Sequence, residues 1–454
     1  MEQEKEIKIL TRLRRFLDEI KYGQIISNLL LINGVNELVQ IHDYNRMKAV
    51  LFNVDEEIRD LMNLFLLGMP IRRNKTAIIP KDLLDGLISI DMLRSDGQYI
   101  QTNNLMIIKA LNKLLIVEIP YYFPTCSKSH TEVYIGLDSY MLMLNLYEKL
   151  QLKKYSKAID ICCGSGMQAI ITSDYVDHVD AVELNAYAAR IARYNTYFNC
   201  CHHKVSVINK NYFEARDSLT GYDLVISNPP FLPITDNLQF SDIGNGGEDG
   251  LRFLRQILCD FRKLGRDADG IFIGECFGSE TGSDVLNLLR MTEEKLPYVV
   301  LYTVKSCAED VVDRIARMVS VQAGIHYQNA HSTISSQLCK DKPYYYTYIV
   351  EIGNVQRAKK CIDMANKWRC SDIPVFENRL KKEESTSCYI KSTDGYKVQV
   401  TKGVMKCLSD IDGKTSISEL MKNNLAFLSP EDTTEVFLSV CAELQRLKLL
   451  EKRT

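Results

Sequence analysis

Apolar positions recur with helical spacing at the start of the chain. Between residues 5 and 33, Ile9, Leu13 and Phe16 follow one another at three or four residues, with charged residues between them. This amphipathic pattern predicts helices that bury one face. The buried face either packs on its own domain or forms a contact between two copies of the chain, so a homodimer is one expectation.

The pattern changes between residues 56 and 120. An apolar helix is predicted over 58–66, and Pro80 suits the first turn of a second helix that runs to about residue 90. A turn at 95–97 then separates two short strands. Two helices followed by a hairpin are the outline of a winged helix, and we expect an N-terminal helical and winged-helix-like domain over residues 1–120.

The charge of the second helix argues against a DNA-binding role for this domain. Asp82 and Asp85 lie beside Lys81, so the helix would repel phosphates as much as attract them. We expect a packing module or a cap on the substrate side, and we expect nucleic acid to be an unlikely partner.

Residues 121–354 alternate strands with helices, which predicts an α/β domain with a parallel sheet covered on both faces. A long stretch over 326–342 carries no clear period, and we expect a mobile flap there. The predicted strands lie near 157–162, 178–183, 204–209, 222–227, 269–275, 298–304 and 344–352, and the predicted helices near 137–150, 167–176, 186–199, 248–264, 281–294 and 307–323.

The C-terminal part of the chain predicts a linker and a small domain. Residues 355–385 end in a charged run, which is typical of a solvated linker. Residues 386–454 predict a small α+β, winged-helix-like domain. Its expected elements are a strand at 396–401, a turn at 412–413 and helices at 416–422 and 429–447. Modules of this outline also bind leader peptides, which is a second use that the pattern allows.

A glycine loop follows the first predicted strand of the α/β domain. Residues 158–166 read Ala-Ile-Asp-Ile-Cys-Cys-Gly-Ser-Gly, and Glu183 follows about 20 residues after the loop at the end of the next strand. Strand, glycine turn, helix, strand and acid is the order by which a Rossmann-like unit holds an adenosine. The glycines admit the ligand to the backbone, and the carboxylate takes the ribose hydroxyls. Glu183 could otherwise be a surface acid.

A second motif, Ser227-Asn228-Pro229-Pro230-Phe231, follows the fourth strand of the same unit. Asn-Pro-Pro by itself is also a common turn. An amide or aromatic amine is a poor nucleophile, so two acceptors on its N–H groups are needed to orient the nitrogen toward a methyl donor. The side-chain oxygen of Asn228 and the carbonyl of Pro229 can supply both, and Phe231 offers a flat face to a planar substrate.

With these motifs, residues 130–353 resemble a class I S-adenosylmethionine-dependent methyltransferase. The nearest type is the release-factor glutamine N-methyltransferases, which share an Asn-Pro-Pro-aromatic motif. Further matches are Val182 to Asn185, Ala188 with Asn195, and the glycine-rich stretch 246–251. The resemblance implies S-adenosylmethionine as cofactor and no metal. It also implies catalytic roles for Asn228, Pro229 and Phe231.

The same resemblance implies a set of cofactor-binding residues and shows where this chain departs from the pattern. Cys162 replaces the usual first glycine of the loop. Asn211 replaces the acid that usually meets the adenine, with Tyr212 beside it. Asp138 either binds the amino group of the cofactor or caps a helix. The implied cofactor-binding residues are Asp138, Asp160, Cys162, Gly164, Gly166, Glu183, Leu184, Asn211, Tyr212 and Asn228.

Composition narrows the remaining choices. The chain has 56 basic and 58 acidic residues, so it has no general attraction for nucleic acid. Its 14 cysteines form no CxxC pair, which favours a reducing compartment. No apolar run is long enough to cross a membrane, and the N-terminus lacks a signal-peptide core. We therefore expect a cytoplasmic protein. Cys162 and Cys163 are expected to pack, and His202 and His203 to form a surface turn.

Together these features predict an N-methyltransferase acting on a planar amide or amine of a small molecule, peptide or protein. The residues from 232 to 247 are expected to act as a lid with glycine hinges. Three other classes stay open: a nucleic-acid base methyltransferase, an O-methyltransferase of a carboxylate or hydroxyl, and a binding module without catalysis. A nucleic-acid enzyme should have a basic trough beside Phe231.

Overall fold

A computed structural model of the protein describes most of the first 353 residues and parts of the rest. The chain forms two compact units, Met1–Leu29 with Leu38–Val355, and Leu30–Glu37 with Gln356–Thr454. The described residues are 2–32, 44–128, 130–234, 238, 240, 244–279, 282–292, 296–338, 342–353, 373–376, 381–384, 388–391, 397–400, 402–411, 414–424, 441 and 450–453.

A mixed sheet forms the centre of the first unit and confirms the predicted Rossmann-like fold. Seven strands lie in the order β12-β13-β10-β9-β6-β7-β8, and the short β11 pairs with β10. The strands from β10 to β8 run parallel, whereas β13 is antiparallel to both of its neighbours. The bounds are β6 Lys157–Ile161, β7 His178–Glu183, β8 Val205–Asn209, β9 Leu224–Ser227, β10 Asp269–Ser279, β11 Gly282–Ser283, β12 Tyr298–Cys307 and β13 Tyr344–Ile352.

Six of the helices around this sheet begin and end close to the predicted positions, whereas α9 and α13 were not predicted. Asn185 and Ser283 each cap the helix that follows, as expected for these residue types. The bounds are α6 Leu137–Leu152, α7 Met167–Thr172, α8 Ala186–Phe198, α9 Tyr212–Ala215, α10 Arg252–Leu264, α11 Asp284–Met291, α12 Ala308–Ala323 and α13 Tyr327–Leu338.

Helix α13 corrects the prediction of an irregular flap for residues 327–338, while residues 339–341 of that stretch lie outside the described residues. Ala330 and Ile334 are fully buried and belong to one apolar cluster with Ile315 and Val319 of α12. The rest of α13 is rich in Ser, Thr, Gln and Asn, so its helical period is carried by few apolar residues. Packing against α12, which the sequence did not reveal, stabilises the helix.

One hydrophobic core cluster lies between the sheet and helix α10. Leu254, Ile257, Leu258, Phe261 and Leu264 are buried along one face of this helix, at the spacing expected for an amphipathic helix. The ring of Phe261 packs edge-on against Phe272 of β10, with 6.1 Å between the ring centres.

The N-terminal part of the first unit packs on α8. The bounds of its helices are α1 Glu2–Glu19, α2 Tyr22–Ile32, α3 Tyr44–Val50, α4 Glu56–Phe65 and α5 Lys81–Ser89. Strands β1 Ile71–Arg72, β2 Leu93–Ser95 and β3 Tyr99–Thr102 form a sheet of order β1-β3-β2. Leu10, Leu13 and Leu17 of α1 are fully buried, so this face packs within its own chain. The winged-helix assignment and the domain boundaries stay predictions.

A hairpin that the sequence reading omitted joins this part to the central domain. Strands β4 Leu105–Ala110 and β5 Lys113–Glu118 pair in antiparallel fashion. Nearly every residue of the hairpin is buried, because it lies between the N-terminal helices and α8. The two apolar runs on either side of Asn112 could have identified this hairpin from the sequence.

The described residues of the second unit include two small antiparallel sheets. Strand β14 Ile373–Phe376 pairs with β18 Leu450–Arg453, and β15 Lys381–Glu384 pairs with β16 Cys388–Lys391. Strand β15 corrects the prediction that this charged run is only a linker. The other described elements are β17 Lys397–Val400, α14 Lys402–Ser409 and α15 Ile417–Asn423. The predicted turn at 412–413 and helix at 429–447 lie outside the described residues, apart from residue 441.

The core predicts a strong response to one substitution. Phe261→Ala removes a fully buried ring, and we expect it to lower the free energy of unfolding by about 3–5 kcal/mol. Urea unfolding followed by circular dichroism measures this change. Phe52, which is 71% exposed, is the matched control, and Phe52→Ala should change stability by less than about 0.5 kcal/mol. Equal effects of the two variants would contradict the assignment of the core.

Candidate active site

The glycine loop turns sharply between β6 and α7. Cys162, Gly164 and Gly166 have φ angles of 61°, 53° and 78°, all in the left-handed region. Cys162 therefore adopts a conformation that favours glycine, which costs a residue with a side chain about 1–2 kcal/mol. Its partly buried side chain packs against the core cluster, which compensates for this cost and confirms the expectation that Cys162 is a packing residue.

The two glycines of the loop have different surroundings. A Cβ atom on Gly164 would meet no atom within 4 Å, whereas one on Gly166 would lie 3.3 Å from the Cβ of Ala192. Gly166 thus allows α7 and α8 to approach each other. Gly164 faces open space beside the backbone, which is where a ligand can reach the loop.

Glu183 lies at the end of β7 with its carboxylate held by two backbone groups. One oxygen accepts from the N–H of Gly164 at 2.8 Å, and the other accepts from the N–H of Asn185 at 2.8 Å. Burial raises the pKa of Glu183 above its ordinary value, and the backbone donors oppose that shift. Each oxygen keeps lone pairs that can accept from a ribose hydroxyl. The next residue, Leu184, is 53% exposed and provides an apolar surface beside the carboxylate.

Asn211 and Tyr212 lie at the end of β8, but their side chains are engaged in structural contacts. The Asn211 side-chain oxygen accepts from the N–H of Phe213 at 3.0 Å and so caps α9. Tyr212 is 3% exposed, and its hydroxyl donates to Asp260 at 3.1 Å. Tyr212 therefore belongs to the core, while the neighbouring ring of the half-buried Phe213 packs on Phe253 at 5.2 Å.

Asp160 is buried at the end of β6. One of its oxygens accepts from the N–H of Ala169 at 3.1 Å, and the other has no hydrogen-bond partner among the described residues. Burial is the main cause that raises the pKa of Asp160 to about 8, and the carboxylate of Glu183 adds to the shift. A buried acid with a free oxygen beside the loop fits a cationic or hydrogen-bond-donating group of a ligand.

Asn228 follows β9 and is held by the first turn of α6. Its side-chain N–H2 group donates to Asp138 at 2.7 Å and to the Ser139 hydroxyl at 3.1 Å. Its side-chain oxygen is buried and has no hydrogen-bond partner among the described residues. Asp138 is thus not a helix cap, because Gly136 occupies that position. The sequence placed Asp138 near the site, but it did not reveal the contact between Asp138 and Asn228.

Two glycines pack against the backbone of Phe231. A Cβ on Gly246 would lie 2.6 Å from the Phe231 Cα, and one on Gly250 would lie 2.3 Å from the Phe231 oxygen. Only glycine fits at such distances. Pro229 is buried, whereas Pro230 and Phe231 are partly exposed, so the packed backbone of the motif leaves these two side chains partly accessible.

The start of the expected lid is anchored. The N–H of Leu232 donates to Gly244, the N–H of Gly246 donates back to Leu232, and the N–H of Ile234 donates to Gly247, each at 2.9 Å. Ile234 is fully buried in the cluster that α12 and α13 form. Gly246 therefore serves close packing rather than a hinge. Residues 235–237, 239 and 241–243, where the rest of the expected lid falls, lie outside the described residues.

Glu275 of β10 lies beside the candidate site, and the sequence did not point to it. Phe272 pairs with Ser227, so Glu275 lies three residues further along, level with the loop after β9. Its carboxylate accepts from Thr347 at 3.1 Å and lies 3.7 Å from Arg314. Burial raises its pKa, Arg314 opposes the shift, and Asp138 adds to it. In the sequence, the only indication of Glu275 was that it is a single acidic residue within an otherwise apolar stretch of β10.

Comparisons with known proteins match this chain to methyltransferases. Residues 131–239 match a family model described as the methyltransferase small domain. A release factor glutamine methyltransferase of Clostridium acetobutylicum is 26% identical over 200 residues, which cover 41% of this chain and 67% of that protein. A putative protein N5-glutamine methyltransferase of Methanocaldococcus jannaschii is 29% identical over 139 residues, covering 30% and 65% of the two chains.

A third relative acts on a different kind of molecule. A tRNA1(Val) (adenine(37)-N6)-methyltransferase of Aeromonas hydrophila is 38% identical over 80 residues, which cover 16% of this chain and 32% of that protein. The matches to these three relatives span from about a third to two thirds of the relatives' own lengths. The expectation that nucleic acid is an unlikely partner finds no support here.

The sheet order, the glycine loop and these matches together define the class. The central domain is a class I S-adenosylmethionine-dependent methyltransferase domain, and it resembles the release-factor glutamine methyltransferase type. The domain is therefore that of an enzyme, and S-adenosylmethionine is its cofactor.

Two further observations concern metals and membranes. The described residues contain no group of three His, Cys, Asp or Glu side chains arranged to hold a metal ion. No helix in the described part of the chain is long and apolar enough to span a membrane.

The buried carboxyl of Asp160 predicts a pH dependence of stability. The pKa of Asp160 rises from 3.8 to about 8 on folding. The stability that the protonated carboxyl contributes is therefore fully present below about pH 3.8 and is lost as the pH rises through about 8. We expect the free energy of unfolding of the ligand-free protein to fall across this window relative to Asp160→Asn, which cannot ionise. Urea unfolding of both proteins at several pH values measures the difference. Parallel pH curves would contradict the assignment.

Proposed function

We propose that the protein is an N-methyltransferase whose acceptor is a planar amide or amine, with the amide of a protein glutamine as the first candidate. The observation that carries this proposal is the buried side-chain oxygen of Asn228, which lacks a hydrogen-bond partner among the described residues. A buried hydrogen-bond acceptor without a partner costs stability, so its presence requires a reason. We infer that an N–H group of the molecule that receives the methyl group is its partner.

The neighbours of Asn228 set the direction of its amide. Asp138 accepts one of its N–H bonds and Ser139 accepts the other, so the oxygen has to face away from α6. The carbonyl of Pro229 is the second acceptor in the proposal. Two acceptors on one N–H2 group turn the nitrogen lone pair toward the methyl donor and stabilise the charge that develops on nitrogen.

Chain residues on the other side of the loop would hold the cofactor. Glu183 would accept from the ribose hydroxyls, Gly164 would leave room for the ligand at the loop, and Leu184 would contact the adenine. When bound, S-adenosylmethionine supplies a methyl group on a sulfonium ion. Asp160 has a free oxygen next to this position, and the side chains of Asn211 and Tyr212 contribute mainly to structure.

The relatives support a protein glutamine as the first candidate acceptor. Two of the three have glutamine methylation in their names, and their matches extend over more of this chain than that of the tRNA enzyme. A nucleic-acid base is the second candidate. Tyr121, Tyr122 and Tyr134 are between 46% and 48% exposed and lie in the segment that leads to Asp138, where a base could stack.

The proposal predicts the effect of Asn228→Ala. We expect methyl transfer to fall by about a hundredfold or more, because the nitrogen loses an oriented acceptor, while S-adenosylmethionine binds with nearly unchanged affinity. Radiolabelled methyl transfer to a bacterial release factor, to bulk transfer RNA and to a small-molecule extract measures activity, and calorimetry measures binding. Label on a glutamine amide supports the proposal. Label on RNA supports the second candidate, and a methyl ester product or full activity of the variant contradicts both.

Asp138→Asn provides a separate test of the orientation of Asn228. The new side chain can donate to Asn228 as well as accept, so the Asn228 amide is no longer fixed in one direction. We expect turnover to fall by about tenfold or more, since the acceptor oxygen is misdirected in part of the population. Leu144→Ala on the same helix, at a position that is 44% exposed, is the control. Unchanged turnover in Asp138→Asn would show that the amide needs no such partner.

A further inference from the structure

The strand β5 contacts the glycine loop through one buried side chain. Asn195 of α8 is fully buried, and its N–H2 group donates to the carbonyls of Ile116 at 2.8 Å and Ser165 at 2.9 Å. Its oxygen accepts from the N–H of Ile116 at 2.7 Å. One amide thus joins the N-terminal hairpin to the loop that faces the cofactor, with three hydrogen bonds.

A second polar connection begins at the end of the same strand. Glu118 is 2% exposed and accepts from Lys128 and from the backbone N–H groups of Glu132 and Val133, the last at 2.9 Å. A buried carboxylate with this number of donors is firmly held. It therefore fixes Lys128, Glu132 and Val133 against the end of β5.

The second connection continues to the ribose carboxylate. Glu132 accepts from the side-chain N–H2 group of Asn185 at 2.9 Å. The oxygen of that amide caps α8 by accepting from Tyr187 and Ala188 at 2.9 and 3.0 Å. The backbone N–H of Asn185 donates to Glu183 at 2.8 Å. A continuous series of contacts runs from β5 to the carboxylate that faces the ribose.

We propose that the N-terminal hairpin is part of the cofactor site, and that Glu132 and Asn195 are positioning residues for cofactor binding. Asn195 holds the glycine loop, and Glu132 holds Asn185 so that its backbone N–H stays on Glu183. The inference rests on the assignment of Glu183 to the ribose in the proposed function. It gives the N-terminal part of the chain a role that does not require DNA or a separate ligand.

Preorganisation is the physical reason for such a role. Burial raises the pKa of Glu183, and the hydrogen bonds from its backbone donors oppose this shift. If Asn185 were displaced, the ionised carboxylate, which is the form that accepts from hydroxyls, would be less stable. Ordering these groups before the ligand arrives removes that cost from binding. The effect should therefore depend on the ribose hydroxyls of the ligand.

The test compares S-adenosylhomocysteine with its 2′-deoxy counterpart by calorimetry on the full chain. We expect Glu132→Ala to weaken binding of S-adenosylhomocysteine by about threefold to tenfold, the range of one lost hydrogen bond, and to weaken binding of the 2′-deoxy ligand by clearly less. Glu132→Gln keeps an acceptor oxygen and should restore the affinity to within about twofold of the wild type. A purely structural role would weaken both ligands equally.

Asn185→Ser provides a second variant that is designed to fold. Serine keeps the helix cap but cannot reach Glu132, so it should reproduce the ligand-selective loss, and combining it with Glu132→Ala should add little further loss. Glu56→Ala, which removes an exposed partner of Lys75, is the control and should change neither affinity. Equal weakening of both ligands, or none, overturns the inference. If Glu183→Ala fails to change the ratio of the two affinities, the ribose assignment itself is wrong.

Discussion

The parallel register of three strands is the constraint on which the candidate site depends. Ile161 of β6 pairs with Val182 of β7 on one side and with Ser227 of β9 on the other, so all three strands end at the same level. The Ser227 hydroxyl donates to the carbonyl of Ile161 at 2.6 Å and fixes two of these ends together. The glycine loop, Glu183 and Asn228 follow directly, and they meet only because parallel strands share an edge.

One segment of the chain contacts residues at the ends of both β7 and β9. Between the end of β5 and the start of α6, Glu132 contacts Asn185, whose backbone N–H donates to Glu183, and Asp138 contacts Asn228. Both contacts are made by carboxylates that accept from side-chain amides. In the proposed mechanism, the same segment thus orders the group that binds cofactor and the group that orients the acceptor nitrogen.

The sequence predicted the central domain well because its signals are local. All seven strands of the main path and six of their helices could be located from periodicity, since each buries a face with its own pattern. The polar helix α13 and the hairpin β4–β5 were missed. Their stability comes from packing on α12 and α8, and neither partner is visible from within the segment itself.

The sequence by itself determined the class of the domain and its two motifs, because Asn228, the glycine loop and Glu183 each lie within a short, ordered stretch. Only the tertiary structure decided which contacts the named residues make. It placed Tyr212 in the core and engaged Asn211 as a cap, and it brought Asp138 to Asn228 and Glu275 level with the loop after β9. These contacts join residues that are far apart along the chain, and their geometry depends on how helices pack across the sheet edge.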